Sequence, residues 1–320
     1  MIVNTIQRSL RLMLQFHYMA PWVPTFRQCI ESEMSLTESS PPFTSFQLAT
    51  IDKQTGYPKN RTLIYRGFLF DDKTNNVLTF TSDKRMDKYK ELLEDDKFEA
   101  VFYFVKSKKQ FRFRGRARIL DDTYRPEIDL SLIQPKQIIE NNHKQTLKRD
   151  KQLDSDFESE SDDDADIHHH HNDIVHHHKS VQLVPISTTL CSPSLISQMM
   201  NNTPDLSYTN LHDLSEFDYK PPTDQEWDQE IDRQWAGMSK SLKKAFRRPA
   251  PLSKMTDENQ KLIDSISRGV DGKKDEYGRK NFAVVAMFID RVDLFEVEKD
   301  RRCIYVKDSH QQWSEDEVCP

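Results

Sequence analysis

In QFRFRGRARIL (Gln110 to Leu120), Arg112, Arg114, Arg116 and Arg118 alternate with Phe111, Phe113, Gly115, Ala117 and Ile119. An extended chain of this kind has a small apolar face and a wholly basic one. Guanidiniums so placed hold carboxylates or phosphates through paired hydrogen bonds. A second group of cations, Lys84, Arg85 and Lys88, lies in SDKRMDKYK. Nucleic-acid binding would need a broad positive surface interleaved with stacking aromatics, and here the aromatics fall on the opposite face, so no nucleic-acid partner is expected. Seven histidines, His168 to His171 and His176 to His178, have ligating chemistry. Their surroundings offer no scaffold to fix a coordination geometry, and no metal site is assigned. His143 and His310 are solitary, and no Ser/His/Asp or paired-carboxylate arrangement supplies a general acid or base. No catalytic side chain is assigned.

The elements that must carry these cations are mostly strands. Phe46 to Ile51, Arg61 to Phe70, Val77 to Ser82, Phe98 to Val105 and the arginine stretch are short, apolar or alternating, and separated by Gly, Asn, Asp and Lys clusters. Met86, Tyr89, Leu92 and Leu93 have helical spacing, so a helix interrupts the meander. Asn281 to Ile289 and the stretch from Arg291 to Asp308 resume the strand pattern, and Ile231 to Arg248 reads as one amphipathic helix. Short antiparallel strands with a few helices predict a closed barrel, because closure removes exposed edges.

The chain divides by composition. Residues 1–18 contain no acid, two arginines and apolar positions at helical spacing. This suits a mitochondrial presequence, an added helix, or an upstream start codon ahead of Met19. The barrel occupies 19–140 and 223–320. Between them, 141–222 is rich in Lys, Ser, Asp, His, Asn and Pro, and is expected to be a disordered insertion. Within it, LVPISTTLCSPSLISQMM is less polar and could dock on the main body. Asp154 to Asp166 holds eight acids and no base, so removing these eight from the formal net charge of -6 leaves the remainder at +2. No apolar stretch approaches the ~20 residues of a membrane-spanning helix, and no membrane association is expected. Four cysteines without CxxC spacing fit a reducing compartment, cytoplasmic or, if 1–18 is a presequence, mitochondrial.

Three blocks in order, FQLATIDKQTGYPKNRTLIYRGF, LTFTSDKRMDKYKEL and FRFRGRARIL, resemble the FMN-binding split barrel of the pyridoxamine 5'-phosphate oxidase family. The resemblance covers 19–125 and 225–320. It is strongest to a subgroup of short bacterial and fungal proteins that begin near APW, like Met19 to Val23, and that share Trp235, Ser239, Phe246, Pro249, Pro251 and a closing Trp313 to Pro320. It implies a mainly β protein, a six-stranded antiparallel split barrel with peripheral helices, FMN as cofactor, and a homodimer with the cofactor between subunits.

The resemblance also assigns cofactor contacts. The positions from Arg61 to Arg66, including Thr62 and Leu63, border the flavin ring and ribityl chain, partly through backbone groups. Phe80 and Thr81 stand at a strand end that meets the cofactor. Arg85 and Lys88, with Ser82 as a hydroxyl donor, are expected to hold the phosphate, although Met86 and Asp87 stand where a hydroxyl and a cation are common. Gln110 reaches the flavin's polar edge with Arg112 beside it, and Arg302 stands for the terminal cofactor arginine. Arg114, Arg116 and Arg118 are expected on the outer barrel face, paired with carboxylates or covering a subunit interface. Arg61 and Arg66 are five apart, so a regular strand puts them on opposite faces unless a bulge intervenes. Phe295 replaces a usual tryptophan, and the Arg-Leu-His element that meets vitamin B6 substrates is absent. The expected function is a flavin-dependent oxidoreductase acting on an unidentified small molecule rather than on vitamin B6. The alternative is a flavin-binding module without turnover.

Overall fold

The computed structural model describes residues 19–35, 44–129, 185–188, 190–201, 220–309 and 311–320. Helix α1 spans Val23–Met34, and strands β1 (Ser45–Ile51), β2 (Pro58–Phe68) and β3 (Val77–Asp83) follow. Helix α2 (Asp87–Glu94) leads into β4 (Lys97–Phe104), β5 (Lys109–Leu120) and the short strand β6 (Ile128–Asp129). Next come strand β7 (Ile186–Ser187) and helices α3 (Pro193–Asn201), α4 (Asp224–Ala236), α5 (Lys240–Ala245) and α6 (Asp257–Arg268). Strands β8 (Phe282–Glu296), β9 (Arg301–Lys307) and β10 (Trp313–Val318) complete the chain.

Six strands close on themselves in the ring β1-β2-β3-β8-β5-β4, with β9 and β10 extending one edge. All six pairings are antiparallel. The expected six-stranded split barrel is therefore the observed one. The split lies on β8. Its first half pairs with β3 as far as Val77 opposite Phe288, and its second half pairs with β9 from Arg291 opposite Val306. Its other edge pairs with β5 along nearly the whole length, interrupted by a register shift that leaves Asp290 as an extra residue.

Alternation in β5 explains how the barrel fills. Phe111, Phe113, Ala117 and Ile119 point inward and are buried with Phe46, Leu48, Phe80, Phe102 and Phe104. Phe26 of α1 plugs this interior, packing edge-on against Phe102 and Phe113 at 5.1 Å and against Phe111 at 5.3 Å. The α1 entry is tied down by the Ala20 amide, which donates to Asn76 Oδ1 at 2.8 Å. A second core lies outside the barrel, where Trp227, Ile231 and Trp235 of α4 cover Val77, Phe282, Val284 and Ala286 of β3 and β8. The outward arginines of β5 pair with carboxylates, as expected. Arg114 lies 3.5 Å from Asp290, Arg116 lies 2.9 Å from Asp96, and Arg118 shares Asp96.

Two expectations need correction, and one alternative is met. The helix expected from Ile231 to Arg248 is two helices. Gly237 ends α4, and Ser239 then caps α5 by accepting from the Leu242 amide, so local capping overrides the continuous apolar pattern. Strand β2 ends at Phe68 rather than Phe70, because Phe70 and Asp71 adopt left-handed backbone that no strand continues. Within 141–222, the less polar stretch docks on the main body, as its composition allowed. Ile186 pairs in parallel with Ile128, and Ile186, Leu190 and Cys191 are buried, the first two in the outer core. Apolar burial stabilises this docking. Residues 1–18, His143, His310, the acidic run and the histidine clusters lie outside the described residues.

Gly115 has no room for a side chain, since a Cβ there would sit 1.9 Å from the Phe288 carbonyl oxygen on β8. Replacing Gly115 by alanine is expected to destabilise the barrel by about 1–3 kcal/mol through overpacking of the closing strand pair. A urea midpoint equal to that of the unsubstituted protein would contradict this.

Candidate functional site

Beside the β3 end of the barrel the chain concentrates charge that it cannot dilute with water. Arg61 lies on the same face of β2 as Leu63 and Tyr65, at the end nearest α2, opposite Leu48 in the pairing with β1. Its guanidinium donates to Thr50 Oγ1 at 2.5 Å, to the Lys59 carbonyl at 3.0 Å and to Glu91 Oε2 at 2.7 Å. Glu91 sits on α2, one turn beyond Lys88, and both are buried. Lys88 differs from Arg61 in having no carboxylate bonded to its ammonium among the described residues. Its Nζ lies against Met86 Sδ at 2.6 Å. Burial first, and then the Arg61 guanidinium, pull its pKa down to about 8, while Asp83, Glu91 and Asp87 act in the opposite direction.

Arg85 is differently placed. It grips Asp83 through Nε at 2.9 Å and Nη2 at 2.6 Å, and donates to the Arg248 carbonyl at 2.8 Å. These contacts tie the segment after α5 to the end of β3. Ser82 is buried, and its hydroxyl donates to the Asp83 carbonyl at 3.2 Å. Asp83 and Glu91, which the sequence reading did not single out, thus hold two of the expected cations. For Asp83 the signal was its place two residues before Arg85, whereas nothing local points from Glu91 to Arg61.

The register of β2 against β3 breaks between Tyr65 and Phe68, so Arg66 lies within the irregular stretch, beside Gly67 at a φ of 101°, and the bulge that its five-residue spacing from Arg61 raised falls at Arg66 itself. Among the described residues the Arg66 Nε is enclosed without a hydrogen-bond partner, and burial lowers its pKa. A guanidinium kept in this state has unused capacity for an anionic or polar acceptor. Thr62 is exposed, whereas Leu63 packs against the barrel interior. Phe80 is fully buried inside the barrel, leaving only its backbone for a ligand, and Thr81 alternates to the outside.

The remaining expected residues form a separate group across β5, β8 and β9. Gln110 stands opposite Phe295, which stands opposite Arg302. Among the described residues the side-chain amide of Gln110 has no hydrogen-bond partner. Arg302 makes a two-point pair with Asp293 at 2.9 and 2.6 Å, and Arg112 lies 2.8 Å from Glu99 and 3.6 Å from the same Asp293. In the six-strand ring, β2 and β5 are three strands apart in either direction, and so lie on opposite sides of the barrel. Outward-facing groups on β2 and β5 point away from each other. The twelve expected residues therefore fall into two sets: Arg61, Thr62, Leu63, Arg66, Phe80, Thr81, Ser82, Arg85 and Lys88 in one, and Gln110, Arg112 and Arg302 in the other.

Buried cations without bonded carboxylates cost solvation free energy. Lys88→Met is accordingly expected to leave the denaturation midpoint unchanged or to raise it. A fall as large as that of a core truncation would show that the ammonium has a structural partner.

Known proteins resemble this chain in sequence and in fold. Residues 19–121 match the sequence model of the pyridoxamine 5'-phosphate oxidase, FMN-binding domain. An uncharacterized protein of Saccharomyces cerevisiae is 33% identical over 324 residues, spanning 95% of this chain and 99% of its own length. The pyridoxine/pyridoxamine 5'-phosphate oxidase 2 of Arabidopsis thaliana is 34% identical over 104 residues, which are 32% of this chain and 48% of that protein. A crystal structure of a pyridoxamine 5'-phosphate oxidase-related, FMN-binding protein from Nostoc punctiforme superposes with a TM-score of 0.52 at 17% identity, covering 94% of this chain and 98% of the other. PhzG from Burkholderia lata, solved with tetrahydrophenazine-1-carboxylic acid, gives 0.50 at 11% identity over 94% of this chain and 93% of its own. At such identities the likeness of these two structures concerns the fold.

Proposed function

Because this chain belongs to the pyridoxamine 5'-phosphate oxidase-like family of FMN-binding split barrels, we propose that it binds FMN between two copies of itself and acts as an oxidoreductase on a small organic molecule. The observation that carries the proposal is a pair of cations with no bonded carboxylate among the described residues, the buried Lys88 and the half-buried Arg66, whose Nε is enclosed without a hydrogen-bond partner. A barrel interior has no use for such groups, whereas a flavin nucleotide brings a phosphate dianion and a polar ring edge that do. The residues present thus fit the cofactor.

Lys88 and Arg61 supply the positive end for the phosphate, and Glu91 holds Arg61 in place. Arg85, gripped by Asp83, chiefly positions the loop that leads into α2. Thr81 and the β2 backbone line the flavin's flank. The amide of Gln110 and the guanidinium of Arg302 serve its polar edge. Since β2 and β5 face opposite ways, these last two groups come from the second subunit, which accounts for the expected homodimer. FMN itself supplies hydride transfer when bound, and the protein contributes orientation and electrostatics. The Arg-Leu-His element is absent, and Glu298, Lys299 and Asp300 occupy the turn into β9, so a vitamin B6 substrate loses the charge pairing and orientation that the element implies. The same feature, with no acid and base pair to name, favours a second reading: a flavin-binding module without turnover.

The visible spectrum of the purified protein tests the cofactor, and bleaching of the flavin bands by NADPH separates the two readings. Arg66→Ala and Lys88→Ala are each expected to weaken FMN binding at least about tenfold in a fluorescence titration, a loss of about 1.4 kcal/mol. Arg85→Ala should have the smaller effect. Unchanged affinity in both of the first two variants would refute the site.

The pH dependence has a definite sign. Lys88, with its pKa pulled down to about 8, is mostly protonated at pH 7 and loses its charge as pH rises through 8. The groups facing it are Arg61 on β2, Asp83 on β3, and Asp87 and Glu91 on α2. A bound dianion favours the charged form, so FMN affinity should fall between pH 7 and pH 9, by up to about tenfold per unit. A flat profile in the unsubstituted protein, identical to that of Lys88→Met, would contradict the assignment.

A further inference from the structure

The split of the barrel leaves a hollow that the flavin site does not use. On β8, Phe288 is the last residue paired with β3, and Arg291 is the first paired with β9. Between them, Ile289 and the bulged Asp290 have no strand partner on that flank. A cavity of about 370 Å³ opens there, with Arg116, Arg118 and Lys307 among its walls and Ile186, Phe288 and Ile289 as its apolar side. Its volume falls within the range typical of small-molecule sites. Arg116 is six residues from Gln110 on the same strand face, about 20 Å away at the usual strand rise, which separates this hollow from the Gln110 end of β5.

Lys307 forms the wall between this cavity and a much smaller one, of about 20 Å³, beside Asn76 and Trp313. Among the described residues its ammonium has no hydrogen bond and no ion pair. Asp290 is the acid that acts on it, and Asp290 is already 3.5 Å from Arg114. Lys307 is only partly hidden from water because it faces the hollow, yet the protein around it is dense enough that burial pulls its pKa down to about 8. Arg116 and Arg118 share a single carboxylate, Asp96. Asp308 is engaged in its own turn, accepting from the Gln312 amide at 2.8 Å. Among the described residues that line the hollow, the cations are Arg116, Arg118 and Lys307 and the acids Asp290 and Asp308, one positive in excess.

We infer that the barrel split is a second binding site, which takes a small organic monoanion, a carboxylate on an apolar body, with Lys307 bonding the carboxylate and Ile186, Phe288 and Ile289 covering the body. A single unpaired ammonium matches a single negative charge, and the three apolar side chains reward a hydrocarbon group that inorganic anions lack. This inference is independent of the flavin reading.

The test uses the full-length protein with excess FMN present, so that the flavin site offers no vacancy, and benzoate as the probe, with inorganic phosphate as the second arm. The lysines are reductively methylated with carbon-13 label, and the Lys307 signal is assigned by its loss in Lys307→Met. Benzoate is expected to shift that signal saturably and to raise the apparent pKa of Lys307, with inorganic phosphate at least about tenfold weaker. In calorimetry, Lys307→Met should lose benzoate binding by about tenfold or more while keeping its melting temperature. If that variant does not fold, the shift in the unsubstituted protein decides alone, its signal then assigned by Lys307→Arg. Absence of a saturable shift, phosphate binding as tight as benzoate, or full benzoate affinity in a folded Lys307→Met would each overturn the proposal.

Discussion

Everything in this molecule depends on how β8 shares its edges. One strand of fifteen residues closes the barrel against β5, joins β3 along its first half and passes β9 its second half. That arrangement requires close backbone approach at Gly115 and a bulge at Asp290. Closure removes the edges of six strands, and the open edge that remains, β10, carries the charges Glu315, Asp316 and Glu317. The interior that closure creates is filled by phenylalanines and plugged by Phe26, so the barrel itself has no internal room for a ligand. Chemistry is confined to the outer faces, to the α2 end and to the gap in the wall.

The same closure explains why the proposed cofactor contacts fall into two sets. Strands on opposite sides of a six-strand ring cannot present outward groups to one ligand. A second subunit is therefore a geometric need of the flavin reading rather than an added assumption. Electrostatics sharpen the point. Arg112 and Arg302 converge on Asp293, and Arg61 and Arg85 are held by Glu91 and Asp83, which leaves Arg66 and Lys88 as cations without bonded carboxylates. Their desolvation is a standing cost that ligand binding would offset.

Much of this was legible in the sequence because period-two alternation is local. The strand limits, the inward phenylalanines of β5 and the outward arginines follow from side-chain direction along an extended chain. The irregular register at Arg66 and Gly67 answers the five-residue spacing from Arg61, which a regular strand would have put on opposite faces. Non-local contacts were not legible: Glu91 reaching Arg61 and Lys307 lying near Asp290 of the neighbouring strand depend on tertiary packing. Two readings failed through local signals that were present. Gly237 and Ser239 mark the break between α4 and α5, and Thr256 and Gly269 cap α6, an element not anticipated at all. The docking of Ile186 and Leu190 was legible as a less polar stretch inside a polar segment, whereas the face it would cover was not.

The most direct test of a flavin held between two chains is complementation in mixed dimers. One chain carries Arg66→Ala with Lys88→Ala, the other Gln110→Ala with Arg302→Ala, and the two are coexpressed with different tags so that only the mixed species is purified. Each variant alone should retain little FMN. The mixed dimer contains one site with all substitutions and one with none, and should recover about half the flavin content of the unsubstituted protein. Flavin content in the mixed dimer no higher than in either parent, or normal flavin content in the Gln110 and Arg302 variant alone, would contradict the account.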